Sequence, residues 1–156
     1  MANFKKIVEV LNDLIKINKD REEGYVKASR ELTPAEHNLR GVFERKAQES
    51  RNNVQQLQYK AQEFTSEAGE EIANDTSISG KLYRVWMDVK SVFTGDNDKS
   101  ALESCVHGEE AAQQCYAQAL DEEELPEDIT SLLRQQKQSI DQSKEEIQQE
   151  LRNISN

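Results

Sequence analysis

The stretch LRGVFERKAQESRNNVQQLQYKAQEFTSEA, Leu39 to Ala68, decides how this chain is read. One stripe along it consists of Leu39, Phe43, Ala47, Ser50, Val54, Leu57, Ala61, Phe64 and Ala68, spaced 4-4-3-4-3-4-3-4. That rhythm keeps one face of an α-helix turned to a core over roughly 50 Å at the standard rise. Thr33-Pro34 ahead of it reads as a cap with proline at the first helical position, and Gly69 behind it as a stop.

Working outward, a first helix is expected from Asn3 to Arg30, with Phe4, Ile7, Leu11, Leu14, Asn18, Tyr25, Ala28 and, just beyond, Leu32 on one face. After a polar loop from Glu70 to Ser77, a short and strongly apolar helix from Ser79 to Phe93 carries Leu82, Val85, Trp86, Val89 and Val92. Thr94-Gly95-Asp96-Asn97-Asp98 breaks it and caps a helix from Lys99 to Leu120. The acidic run Asp121 to Asp128 then turns the chain into a last helix, Asp128 to Arg152, rich in Gln and Ser. No segment alternates as sheet strands do.

The expectation is an all-α chain forming one domain over residues 1–156: a four-helix bundle with a short extra helix in the long connection between bundle helices two and three. Nearly thirty residues separate Ala68 from Lys99, against a short turn at each of the other two junctions. That length suffices to cross the bundle from end to end, which favours a long crossover over plain up-down-up-down order.

Composition narrows the function. The 156 residues include 30 acidic and 20 basic ones, a net charge of -10 that repels phosphates and anionic lipid, so neither nucleic acid nor a membrane is expected as partner. Met1 to Lys6 lack the apolar core of a secretion signal, and no stretch has roughly twenty apolar residues together, so a cytoplasmic home is expected. Cys105 and Cys115, about 15 Å apart along one helix, are read as reduced thiols. The N-glycosylation patterns at Asn74 and Asn153 carry no weight without a secretory signal.

Polar residues that project onto the apolar faces are the candidates for function. Asn18 and Tyr25 lie on helix one with Glu22 at the edge; Ser50 on helix two; Glu109 and Tyr116 on the fourth segment; Gln136 and Ser143 flank Ile140 on the last. A buried polar layer of Asn18, Tyr25, Ser50, Glu109, Tyr116, Gln136 and Ser143 is expected. Glu109 must be ionised with partners, protonated, or bound to a cation. In the first case Tyr25 or Tyr116, Asn18 and Gln136 satisfy it and the layer sets helix register. In the last, Glu22 and Glu109 hold iron or manganese.

A dinuclear carboxylate centre needs Glu-x-x-His on two helices, and no such motif occurs. His107 projects opposite Glu109, beside Glu103 at i,i+4; His37 has no second ligand nearby; Glu44 and Glu49 project off the helix-two stripe. No phosphate loop, nucleophile elbow or Cys-x-x-Cys appears, and Cys105 has neither His beside it on its face. No catalytic residue, cofactor or metal ligand is therefore assigned, and a non-enzymatic role is expected. Trp86 is placed in the core, whereas Tyr83 and Met87 are candidates for a contact in a homo-oligomer, expected to be a dimer. Lys81, Arg84 and Lys90 form a basic cluster suited to an acidic surface on a second copy.

Leu11-Asn12-Asp13-Leu14-Ile15 with Asp20 and Gly24-Tyr25-x-x-Ala28, then Ser79 to Lys90, then Gly108-Glu109-Glu110, Tyr116-x-x-Ala119-Leu120 and Leu125-Pro126, together resemble an uncharacterised bacterial family of ferritin-like four-helix-bundle proteins. The resemblance spans nearly the whole chain and implies a bundle with a crossover helix, without implying ferritin chemistry. Relatives tend to have His-Arg where this chain has Tyr83-Arg84, and often His where it has Lys144. Glu109 with Glu110 is the acidic motif that carries over.

Overall fold

The computed structural model describes residues 4–68, 80–89 and 97–155. They form α1 (Phe4–Glu31), α2 (His37–Ala68), α3 (Lys81–Val89), α4 (Asp98–Leu120) and α5 (Glu127–Ser155), with no strand among them. Gly69, the loop Glu70 to Ser77, the ends of the expected third helix at Ser79 and residues 90–93, and the breaker Thr94-Gly95-Asp96 lie outside the described residues.

The α1–α2 junction corrects one expectation. Proline 34 does not open α2; it is the second residue of a turn closed by Glu36 N donating to Thr33 O at 3.0 Å, a position that the fixed φ of proline suits. The helix starts at His37, with Arg40 N on Glu36 O. Nor does Thr33 cap α2. Its amide and hydroxyl both donate to Asp98, at 3.1 and 3.0 Å, and so tie the end of α1 to the start of α4. Asn97, in extended conformation, caps α4 by accepting from Ser100 N at 2.8 Å. Glu127 and Asp128 sit in the first turn of α5, where carboxylates complement the helix dipole.

The direction of the helices follows from what meets at each end. At one end Phe4 stacks on Phe64 and Lys6 pairs with Glu122; at the other Thr33 meets Asp98. Hence α1 is antiparallel to both α2 and α4, and α2 finishes at the opposite end from where α4 begins. The connection between them runs the length of the bundle, the long crossover. Within it α3 packs against α1 and α4 and runs parallel to α1, from Gly80 beside Asp13 to Trp86 beside Asp20.

The apolar interior is in two parts. One holds Ile17, Val54, Ala112 and Ile140 with everything toward the Phe4 end; the other holds Tyr25, Ala47, Cys105 and Ile147 toward the Thr33 end. All four bundle helices leave the core at one level, and the gap holds Asn18 and Arg21, Ser50 and Asn53, Glu109, and Ser143, each buried.

Candidate functional site

The centre of that level is an arginine. Arg21 sits where the α1 stripe requires an inward residue, between Asn18 and Tyr25, and only 4% of it is exposed. Its Nε donates to Glu109 Oε1 at 2.6 Å and its Nη2 to Oε2 at 2.7 Å, a bidentate pair spanning α1 and α4. Nη1 donates to Ser50 Oγ at 2.7 Å, and that hydroxyl passes its own proton to Lys46 O. Nη2 also reaches Glu49 Oε1 at 3.1 Å, and Glu49 is met from α5 by Ser143 Oγ at 3.4 to 3.5 Å. The guanidinium lies 5.4 Å from the centre of the Tyr25 ring.

Burial works against a charge on Arg21, and the adjacent Glu109 carboxylate outweighs it, so the guanidinium proton is bound more tightly than in water. The Tyr25 hydroxyl is the one buried side-chain polar atom among the described residues without a hydrogen-bond partner. Burial, reinforced by the nearby Glu109 carboxylate, pushes its ionisation far above the ordinary phenol range.

One turn toward the Phe4 end, neutral groups close a ring. Asn18 Nδ2 donates to Tyr116 Oη at 2.9 Å, and Tyr116 donates to Gln136 Oε1 at 2.6 Å. Gln136 Nε2 donates to Gln56 Oε1 at 3.0 Å and toward Asn53 O at 3.4 Å. Asn53 Nδ2 returns to Asn18 Oδ1 at 3.0 Å. Every bundle helix contributes, and the side-chain amides of Asn18 and Gln136 have their donors and acceptors used, which is what makes such a network tolerable in a core. A helix rotated or shifted by one residue would break several bonds at once.

A third set fixes α3 to α1. Asp13, 2% exposed, accepts from Gly80 N at 2.9 Å and Leu82 N at 3.1 Å, capping the start of α3 from outside its own chain segment. Two turns along α1, Asp20 Oδ2 accepts from Tyr83 Oη at 2.8 Å and Trp86 Nε1 at 3.0 Å. Lys16, between them on α1, lies over the Tyr83 ring. Burial raises the Asp13 carboxyl pKa against the opposing pull of its backbone donors. A Cβ at Gly80 would stand 2.5 Å from Asp13 Oδ2 and 2.8 Å from Glu9, so any side chain there would push these carboxylates aside.

Set against the sequence reading, Asn18, Tyr25, Ser50, Glu109, Tyr116, Gln136 and Ser143 are all buried. Their partners differ from those expected. Glu109 is held by Arg21 and not by tyrosines and amides, while Tyr116, Asn18 and Gln136 satisfy one another. Glu49, placed off the α2 stripe by projection, reaches the centre because its side chain is long enough to lean inward. Of the two residues expected at an oligomer contact, Tyr83 is half-buried and donates to Asp20, and Met87 is half exposed. Trp86 is in the core as expected. Of the basic cluster Lys81 and Arg84 are exposed, and Lys90 lies outside the described residues.

The two carboxylates of the alternative metal set each have a cationic partner. Glu22 pairs with Arg51 at 2.6 Å near the surface, both oxygens of Glu109 are engaged by Arg21, and His107 is exposed on the outer side of α4. Among the described residues no three His, Cys, Asp or Glu side chains gather as ligands would. Nor are the thiols prepared as nucleophiles: burial pushes Cys115 up to about 12 and Cys105 higher still, the latter with help from Glu109. What the geometry does is hold a charge in a fixed place.

The chain belongs to the family described as domain of unknown function DUF2383, whose model matches residues 6–123. No curated protein matches it. Asp13, Asp20, Gly80, Tyr83, Trp86, Arg21, Glu109 and Tyr116 fall inside the matched span, whereas Gln136 and Ser143 on α5 fall outside it.

Proposed function

We propose that the protein is a non-enzymatic bundle that acts through its surface, as a self-associating structural or interaction protein with a stress-related role, and that its buried polar level is there to fix register. The observation that carries this reading is the bidentate pairing of Arg21 with Glu109. The most buried acid in the described chain has each oxygen on a guanidinium nitrogen, leaving it no ready capacity for a substrate or a metal. A bacterial, cytoplasmic setting and a ferritin-like origin belong to the same reading. The single long crossover supports the origin, and the two buried free thiols support a reducing compartment. Among the described residues, no helix is long and apolar enough to cross a membrane.

Elemental analysis of untagged protein purified without chelator tests the interior, and light scattering tests the assembly. The reading expects no stoichiometric iron or manganese and a particle larger than one chain. About two equivalents of either metal, lost on Glu109→Gln, would overturn it in favour of a carboxylate metal bundle.

A further inference from the structure

Between α1 and α2, toward the Thr33 end, lies a groove of about 400 Å³. Ala47, 2% exposed, and half-buried Val26 make its apolar lining. Ser29 lines it too. That residue is only 8% exposed, yet its hydroxyl is hydrogen-bonded to no described residue. Unlike Tyr25 Oη it is not sealed in the core, so it is a donor left for whatever occupies the groove. Three arginines, Arg30, Arg40 and Arg51, line the same groove in a chain whose net charge is -10.

The charges there do not cancel. Arg51 is held by Glu22 at 2.6 Å. Arg40 reaches the carbonyls of Leu32 and Thr33 at 3.4 and 3.5 Å, and Arg30 is exposed, neither of them with a carboxylate partner among the described residues. Glu44, exposed on the same groove, offsets one of the two, which leaves one positive charge beside an apolar surface. A guanidinium with open donors presents a planar fork that a carboxylate matches with two parallel bonds. The geometry points to a binding site for an organic monocarboxylate, its anionic end on Arg30 and Arg40 with Ser29 as a further donor, and its apolar body on Val26 and Ala47. The volume suits such a molecule, since small-molecule pockets span about 300 to 1,000 Å³. A net charge of -10 repels phosphate dianions and acidic peptides more than a single carboxylate, so the molecule as a whole selects for low ligand charge. Occupancy of the groove leaves the buried polar level intact and is independent of the self-association proposed above.

Isothermal titration of the full chain with octanoate and with phenylbutyrate tests this, each beside the alcohol of the same skeleton, with inorganic phosphate and hexaglutamate as further comparators. At least one of the two carboxylates should saturate at one equivalent per chain and bind about tenfold more tightly than its alcohol or phosphate. Arg30→Gln should weaken that binding about tenfold, the worth of a charge-assisted hydrogen bond near the surface. Arg45→Gln makes the same change in net charge on α2, outside the groove lining, and should leave the affinity unchanged. Both arginines are exposed, so both variants keep the native helical circular-dichroism signal. Absence of saturable binding by both carboxylates, affinity unmoved by Arg30→Gln, or an equal loss in Arg45→Gln overturns the site. An alcohol that binds as well as its acid reduces it to an apolar groove, phosphate that binds as well reduces it to a basic patch, and tighter binding of hexaglutamate makes it an interface for an acidic protein segment; each of these overturns the proposal.

Discussion

Arg21 on α1 and Glu109 on α4 meet as two parallel N–H···O bonds of 2.6 and 2.7 Å with 4% and 1% of each residue exposed. A pair so far from water stabilises a fold only weakly against an apolar alternative, since desolvating both ions offsets most of their attraction. What it does is penalise every other arrangement. If α1 slid against α4, an arginine and a glutamate would each be left charged in a core. Specificity of helix register is the property such a pair supplies, and the neutral ring one turn away repeats the demand on all four helices.

The two buried tyrosines should respond oppositely to loss of the hydroxyl. Tyr25→Phe removes an orphan polar atom, so stability in urea should stay level or rise by up to about 1 kcal/mol. Tyr116→Phe breaks the ring between Asn18 and Gln136 and should cost about 1 to 3 kcal/mol. Equal effects would mean that Tyr25 has a partner after all.

Much of this was legible in sequence, and the misses have physical causes. The 3-4 spacing from Leu39 to Ala68 and the long stretch after it were enough for an all-α bundle with a crossover, because periodicity depends only on which residues avoid water. The buried level was legible for the same reason. Arg21 was missed although the stripe announced it: Asn18 and Tyr25 are seven apart, and a helical face needs a residue in between. Position 21 supplies it, but a lone arginine is ordinarily solvated, so the residue type hid what the spacing showed. Glu49 was missed because projection places a Cα and says nothing of the reach of a long side chain. Asp13 and Asp20 appeared in a recognisable motif without a role, since their partners lie more than sixty residues away on α3.

Docking of α3 depends on the absence of one side chain. Gly80→Ala should force Asp13 or Glu9 aside and cost about 1 to 3 kcal/mol, the usual penalty of overpacking. Trp86 is the only tryptophan, so its fluorescence reports the same event: emission should shift toward the red and become accessible to quenchers. Asp20→Asn should show a smaller shift of the same kind. An unchanged spectrum in both would show that the two carboxylates do not hold α3.

Asp13 also sets a pH dependence with a definite sign. Its folded-state pKa is raised above 3.8, chiefly by burial, so the folded chain binds this proton more tightly than the unfolded one. Its contribution to stability is therefore greatest below 3.8 and is lost as pH rises through the folded pKa. Comparing the native chain with Asp13→Asn across that window, the advantage of the native chain should grow on acidification. Asp128, lowered by its hydrogen bond with Lys60, contributes in the opposite direction, so the difference against Asp13→Asn is the quantity to follow. A flat difference, or one that shrinks in acid, would contradict the assignment.

Both thiols should be silent in the folded protein. Burial raises Cys105 and Cys115, so a disulfide reagent at pH 8 should label neither at an appreciable rate, and both should react on addition of denaturant. Rapid labelling of one thiol in the native state would identify a mobile segment of α4.

The most direct test of the whole account is a double-mutant cycle on the central pair, read by chemical denaturation with Arg21→Met, Glu109→Leu and the double variant. Each single change leaves its partner charged in the core and should cost about 3 to 5 kcal/mol. The double change removes both charges, so its loss should be well below the sum, with a coupling above about 2 kcal/mol. Additive losses, or a Glu109→Leu chain as stable as the native one, would contradict the claim that this carboxylate is present to hold an arginine.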